Sequence, residues 1–270
     1  MKSRVLTAII LFPPVIYLIG WSPLWIFVAA IITTVTLGLQ EYVVICRQSG
    51  IRTLAPLVYA GGWGVCLAQV LALRSVANPA ALFLALFIPV MMSLAMLWVE
   101  DLKQYLGAAA TTILGILYIG VPMSFLIVLR SSDPVNGRDL LLFLFLVIWA
   151  GDICAYLVGR PLGQHFLFPR LSPHKTFEGA LGGLGGSLLA AWAYTHWVWK
   201  SVDLRAAIIM AGLIAIAGQV GDFVESALKR GAGVKDSGTI LPGHGGMLDR
   251  IDALLFGAAT LWLARTLHLF

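Results

Sequence analysis

Charge is scarce in this chain: Asp, Glu, Lys and Arg make up 11% of its 270 residues, whereas 60% are hydrophobic. Soluble domains carry roughly 25% charged residues, so there is too little polar surface here to cover a water-soluble globule. Cysteine is nearly absent. Cys46, Cys66 and Cys154 are widely spaced, form no Cys-x-x-Cys pair and have no His at metal spacing, which leaves no thiolate metal centre. They read as small apolar fillers. Also missing are the Gly-x-x-x-x-Gly-Lys-Ser/Thr phosphate loop, the Gly-x-Gly-x-x-Gly fingerprint and the His-Glu-x-x-His motif. No Ser, His and Asp set converges in the sequence. With no low-complexity tract, no clear repeat and no separate soluble segment, residues 1–270 read as a single polytopic membrane domain.

What is abundant is apolar sequence in runs. A bilayer-crossing helix needs about 20 mostly apolar residues. Breaks at turn residues and charges give nine candidates, at 5–20, 24–45, 54–73, 80–99, 107–129, 140–158, 178–199, 205–225 and 251–268. The expected fold is therefore all-α, a polytopic integral membrane protein of about nine transmembrane helices. Pro13-Pro14 predicts a kink or an interfacial start in the first. The segment after it, Gly20-Trp21-Ser22-Pro23, lacks a small-x-small cleavage site, so it reads as a retained helix.

The net charge of +5 would suit nucleic acid, but the cations sit in short loops between apolar runs. That pattern sets orientation in a bilayer instead, and no nucleic-acid partner is expected. With the N-terminus inside, cytoplasmic segments hold 12 Lys and Arg and outside segments hold 6. Nine spans then put the C-terminus outside. The two long polar connections, 159–177 and 226–250, both fall on the cytoplasmic side and hold the densest Gly, Pro, His and charge. Long loops in compact folds tend to be functional. Gly179, Gly182, Gly183, Gly185 and Gly186 favour close helix packing.

Asp222 and Glu225 lie three residues apart near the inner end of helix eight, on one face. Asp249 and Asp252 repeat that spacing where helix nine begins, and Asp152 lies inside helix six. Acids at such depths are costly and usually mark a site. Flanked by Lys229, Arg230, Lys235 and Arg250, they suit Mg²⁺ and a polyphosphate. The competing structural reading makes Asp249 and Arg250 helix caps, and Lys229 and Arg230 headgroup anchors. His244 sits among glycines in Pro242-Gly243-His244-Gly245-Gly246. His165, His196 and His268 are given no role.

The stretch SALKRGAGVKDSGTILPGHGGMLDRID, Ser226 to Asp252, resembles the signature of the phosphatidate cytidylyltransferase (CDP-diacylglycerol synthase) family. Ser226, Lys229-Arg230, Lys235-Asp236, Pro242, His244-Gly245-Gly246 and Asp249-Arg250-x-Asp252 all match that pattern. A second stretch, residues 149–183, is similar to the family at Asp152, Ala155-Tyr156, Gly159-Arg160, Ser172-Pro173, Lys175-Thr176 and Glu178-Gly179. The resemblance implies an enzyme of the cytoplasmic face of the plasma (inner) membrane that joins CTP and phosphatidate into CDP-diacylglycerol and pyrophosphate. It implies Mg²⁺, with a second metal ion and a homodimer left open. By resemblance, Asp222 and Asp249 are the metal ligands, with Glu225 and Asp252 supporting them. Lys235, His244 and Arg250 join them in catalysis, and Asp152, Ser172, Lys175, Glu178, Lys229, Arg230 and Asp236 bind substrate. Two rivals are a CTP-dependent lipid kinase, which the full 226–252 signature argues against, and a proton- or ion-coupled transporter. The transporter would need acids along a path across the bilayer, and helices two to five read as carrying none well inside.

Overall fold

The computed structural model describes residues 13–71, 78–131, 133, 136–240 and 245–269. Residues 5–12 of the first expected span and His244 lie outside the described residues. Helix begins at 13–20 (α1) and continues in α2 (Leu24–Gln48), α3 (Ala55–Leu71), α4 (Pro79–Trp98) and α5 (Leu102–Gly115). A π-helical stretch, Ile116–Gly120, joins α5 to α6 (Val121–Ser131). Then follow α7 (Gly137–Leu162), α8 (Phe177–Trp197), α9 (Leu204–Gly231) and α10 (Leu248–Thr266). Among the described residues there is no β-strand, only an isolated bridge between Phe166 and Thr176.

The ends follow from local chemistry. Asn78 Oδ1 accepts the Ala81 amide at 3.2 Å with Pro79 in the first turn of α4, and Asp101 caps α5 through the Lys103 amide at 3.0 Å. Thr176 caps α8 through the Gly179 amide at 3.2 Å. The π stretch comes just before Pro122, which lacks an N–H and crowds the carbonyl four residues back.

Five helices are long and apolar enough to cross a membrane: Leu24–Gln48, Pro79–Trp98, Leu102–Ser131, Gly137–Leu162 and Leu204–Gly231. The nine spans expected from the sequence are not all met on this measure. α3 has only 17 residues. α8 is diluted by its five glycines, and α10 opens with Asp249, Arg250 and Asp252. On α4 only 17% of the apolar window is buried, with Leu86 and Leu97 more than two-thirds exposed. Such a surface suits lipid rather than water.

The chain divides into two compact units. The first comprises the described residues of Met1–Pro134 and Leu228–Arg250. Its core packs Leu54, Leu57, Met91, Ala95, Val99 and Ala108. Tyr42 donates to the Thr111 carbonyl at 2.9 Å, and Arg130 donates to that of Ile19 at 2.9 Å. The second comprises the described residues of Val135–Ala227 and Ile251–Phe270. Here α7 and α8 pack backbone to backbone. A Cβ at Gly159 would stand 3.2 Å from the Gly179 Cα, one at Gly182 would strike Val158 at 2.5 Å, and Ser187 Oγ donates to the Val147 carbonyl at 2.8 Å. Gly179, Gly182, Gly183, Gly186 and Ser187 thus serve helix packing, whereas Gly185 has no neighbour within 4 Å of its Cβ position.

Candidate functional site

In the second unit α9 and α10 bring together the acids that the sequence placed three residues apart. Asp222 and Glu225 of α9 and Asp252 of α10 each offer a carboxylate oxygen, and these lie within 4.8 Å of one another. Glu225 is fully buried, whereas Asp222 and Asp252 are half-buried. α9 and α10 approach closely because Gly221 and Gly218 face α10: a Cβ at Gly221 would meet the Asp252 carbonyl at 2.5 Å. Asp152, from α7, interacts electrostatically with Asp252, as does Asp222. Two carboxylates about 5 Å apart repel by roughly 3 kcal/mol at an effective dielectric of 20. A set of oxygen donors so gathered fits a hard divalent cation, which takes carboxylate oxygens and water.

Lys175 is the cation that the fold supplies to this cluster. The 163–177 connection turns back on itself, with the Leu167 amide donating to the Lys175 carbonyl at 3.0 Å and the Phe177 amide to the His165 carbonyl at 2.8 Å. Phe168 packs edge-on against Phe223 at 5.0 Å between centroids, and the Lys175 ammonium stands 4.7 Å over the same ring. From there Lys175 forms an ion pair with Asp222. Glu178 ties the base of the connection: its Oε2 accepts the Gln164 and His165 amides at 3.1 and 3.3 Å, and its Oε1 meets His165 Nδ1 at 2.5 Å. Ser172 lies in the turn, its carbonyl accepting the Lys175 amide at 3.4 Å. Glu178 and Ser172 therefore shape the loop that presents Lys175, and His165, read above as having no role, belongs to that shape.

The first unit holds a second polar cluster. Asp249 Oδ1 accepts the Lys229 ammonium at 2.5 Å. Its Oδ2 accepts the amides of Ser237 at 3.0 Å and Gly246 at 2.8 Å, and lies 3.0 Å from Ser237 Oγ. Gly245 holds a left-handed φ of +77°, where its absent Cβ clears Asp249. Asp249 thus anchors the loop before α10. Arg230 donates to the Val234 carbonyl at 2.9 Å. Lys235, Asp236 and Arg250 are exposed.

A residue missed by the sequence reading completes this cluster. Glu41 of α2 is only 4% exposed, an acid buried near the end of the expected 24–45 span. It accepts the Ser237 hydroxyl at 2.7 Å and the Met247 and Leu248 amides at 2.8 Å each. The available signal was an acid preceded by Gln40 in an otherwise apolar run.

The model of the cytidylyltransferase family matches residues 2–268. A phosphatidate cytidylyltransferase of Staphylococcus saprophyticus is 44% identical over 148 residues, 55% of this chain and 55% of that protein. One from Staphylococcus aureus is 41% identical over 148 residues, with the same coverage of 55% on each side. One from Brucella suis biovar 1 is 44% identical over 154 residues, 55% of this chain and 54% of that protein. In these matches the chain spans about half the length of the curated relatives.

Proposed function

The chain belongs to the cytidylyltransferase family, and from that premise we propose that it transfers the cytidylyl group of CTP to phosphatidate. A phosphate oxygen of phosphatidate bonds to the α-phosphorus of CTP. The bond from that phosphorus to the bridging oxygen of the β-phosphate breaks, pyrophosphate leaves, and CDP-diacylglycerol remains. No protein nucleophile is needed, because such transfers depend on positioning and charge stabilisation. The observation that carries the reading is the gathering of Asp222, Glu225 and Asp252 within 4.8 Å, beside Lys175.

Those three carboxylates would hold the metal ion, for which Mg²⁺ is the proposal. Once bound, it supplies positive charge to triphosphate oxygens and to the departing pyrophosphate. Asp222 would be a ligand of that metal, and Lys175, now paired with Asp222, would then be free to meet a phosphate oxygen. Asp152 tightens the negative field that favours the metal. Lys229, Arg230, Lys235, His244 and Arg250, by their place in the family signature, would receive triphosphate or lipid phosphate, with Asp249 orienting Lys229 and Asp236 reaching the substrate through water.

The proposed setting is the plasma membrane, with nine crossings, the N-terminus and both long polar connections cytoplasmic, the C-terminus outside, and a homodimer as the assembly to test. The reaction is tested with CTP labelled separately at its α and γ phosphates. The α label should appear in the lipid and the γ label in pyrophosphate. Label from the γ position in the lipid would identify a kinase and defeat the proposal.

A further inference from the structure

Glu41 has an environment that packing alone does not explain. α2 is otherwise apolar around it, and an apolar side chain such as its neighbours Val43 and Val44 would bury there at less cost. Instead a carboxylate with 4% exposure takes three donors, all from the 237–248 stretch. Two of them, the Met247 and Leu248 amides, lie where α10 starts. Glu41 therefore caps α10 from another helix. The stretch is cut to fit it: a Cβ at Gly246 would overlap the Ser237 hydroxyl and Glu41 Oε2, and one at Gly238 would stand 2.5 Å from Glu41 Oε1.

Ser237 links this carboxylate to the next. Its hydroxyl has one hydrogen, and the shorter contact, 2.7 Å against 3.0 Å, assigns it to Glu41 rather than to Asp249 Oδ2. Asp249 Oδ2 is already served by the Ser237 and Gly246 amides. Glu41 thus fixes Ser237, Ser237 fixes one oxygen of Asp249, and the other oxygen fixes the Lys229 ammonium.

We propose that Glu41 is a positioning residue: through Ser237 and Asp249 it holds Lys229 and the signature loop in the geometry that binds the CTP phosphates. This rests on the function proposed above. The test compares wild type, Glu41→Gln and Glu41→Asp, purified as the full chain, by steady-state kinetics and by hydrogen–deuterium exchange of residues 245–250. Glutamine has one acceptor oxygen where Glu41 uses two, so its NH₂ must face a loop donor. Losing charge-assisted hydrogen bonds should raise KM for CTP about tenfold in Glu41→Gln, with Glu41→Asp intermediate. Exchange at 245–250 should quicken in step. KM does not depend on the fraction of protein that is folded, so a purely structural role would lower apparent kcat and leave KM alone. An unchanged KM overturns the proposal, whether or not exchange quickens. If Glu41→Gln does not accumulate, Ser237→Ala takes its place, with a rise of about threefold expected and no rise counting against the proposal. Should the wild type give no CDP-lipid, the functional reading fails on its own. The exchange comparison would then still decide whether Glu41 holds the loop.

Discussion

Replacing Asp249 with asparagine should unfold the protein earlier, whereas the same change at Asp222 should not. Both substitutions keep the shape and remove the charge, but their surroundings differ. The Asp249 and Lys229 side chains are 7% and 11% exposed, and Asp249 uses both oxygens, one for the ammonium and one for two backbone amides. Asparagine has one acceptor oxygen, so its NH₂ must confront either Lys229 or the pair of amides. Hydrogen bonds to charged groups are worth about 1.5–3 kcal/mol, and breaking a buried pair costs about 3–5 kcal/mol. A loss of about 3 kcal/mol follows, which at roughly 2–4 °C per kcal/mol lowers Tm by about 6–12 °C. Asp222 and its partner Lys175 are 34% and 32% exposed. Such a pair contributes about 0–1 kcal/mol, and removing the charge of Asp222 also relieves repulsion with Glu225 and Asp252. Asp222→Asn should thus melt within about 3 °C of wild type while losing turnover. Thermal unfolding in detergent, followed by tryptophan fluorescence, compares the two. If Asp249→Asn melts like wild type, or Asp222→Asn melts earlier than it, the assignment of Asp249 as the loop's anchor is wrong.

Direct Mn²⁺ binding, read by electron paramagnetic resonance without substrate, should weaken at least about tenfold in Glu225→Gln and Asp252→Asn; undiminished binding would move the metal elsewhere. Gly182→Ala should destabilise by roughly 1–3 kcal/mol, because the new methyl strikes Val158. Gly185→Ala, with nothing within 4 Å of its Cβ, should be neutral or gain about 0.5–1 kcal/mol of helix stability; equal effects in thermal melts would contradict the α7–α8 packing. A cysteine at exposed Lys235 should react with an impermeant thiol reagent only from the cytoplasmic side, and one at exposed Lys200 only from outside. The reverse pattern would refute the orientation.

Hydropathy located the helices because lipid-facing runs such as Pro79–Trp98 are apolar almost throughout. It was less informative about α8 and α10, whose glycines and charges serve partners rather than lipid. The pairing of Asp222 with Glu225 was legible because it is local, set by one turn of helix. Adding Asp252 required the close approach of α9 to α10 at Gly221, which spacing does not encode. Asp249 was read by resemblance as a metal ligand, but its spacing alone could not assign its partners. A carboxylate one turn from another reads the same in sequence whether its oxygens meet a metal or a lysine and two amides. Glu41 was passed over because its meaning lies wholly in its partners, the nearest of them 196 residues away.

That separation bears on how the protein is made. Glu41 is made with α2, while Ser237 and Leu248 are synthesised 196 and 207 residues later. At about 5–20 residues per second, roughly 10–40 s pass before its donors exist. Through that interval an ionised carboxylate placed in lipid without those donors would cost several kcal/mol. The hydrogen bonds that hold Glu41 can form only once the loop before α10 has been made. A buried carboxylate of α2 is thus satisfied by a stretch translated 196 to 207 residues after it.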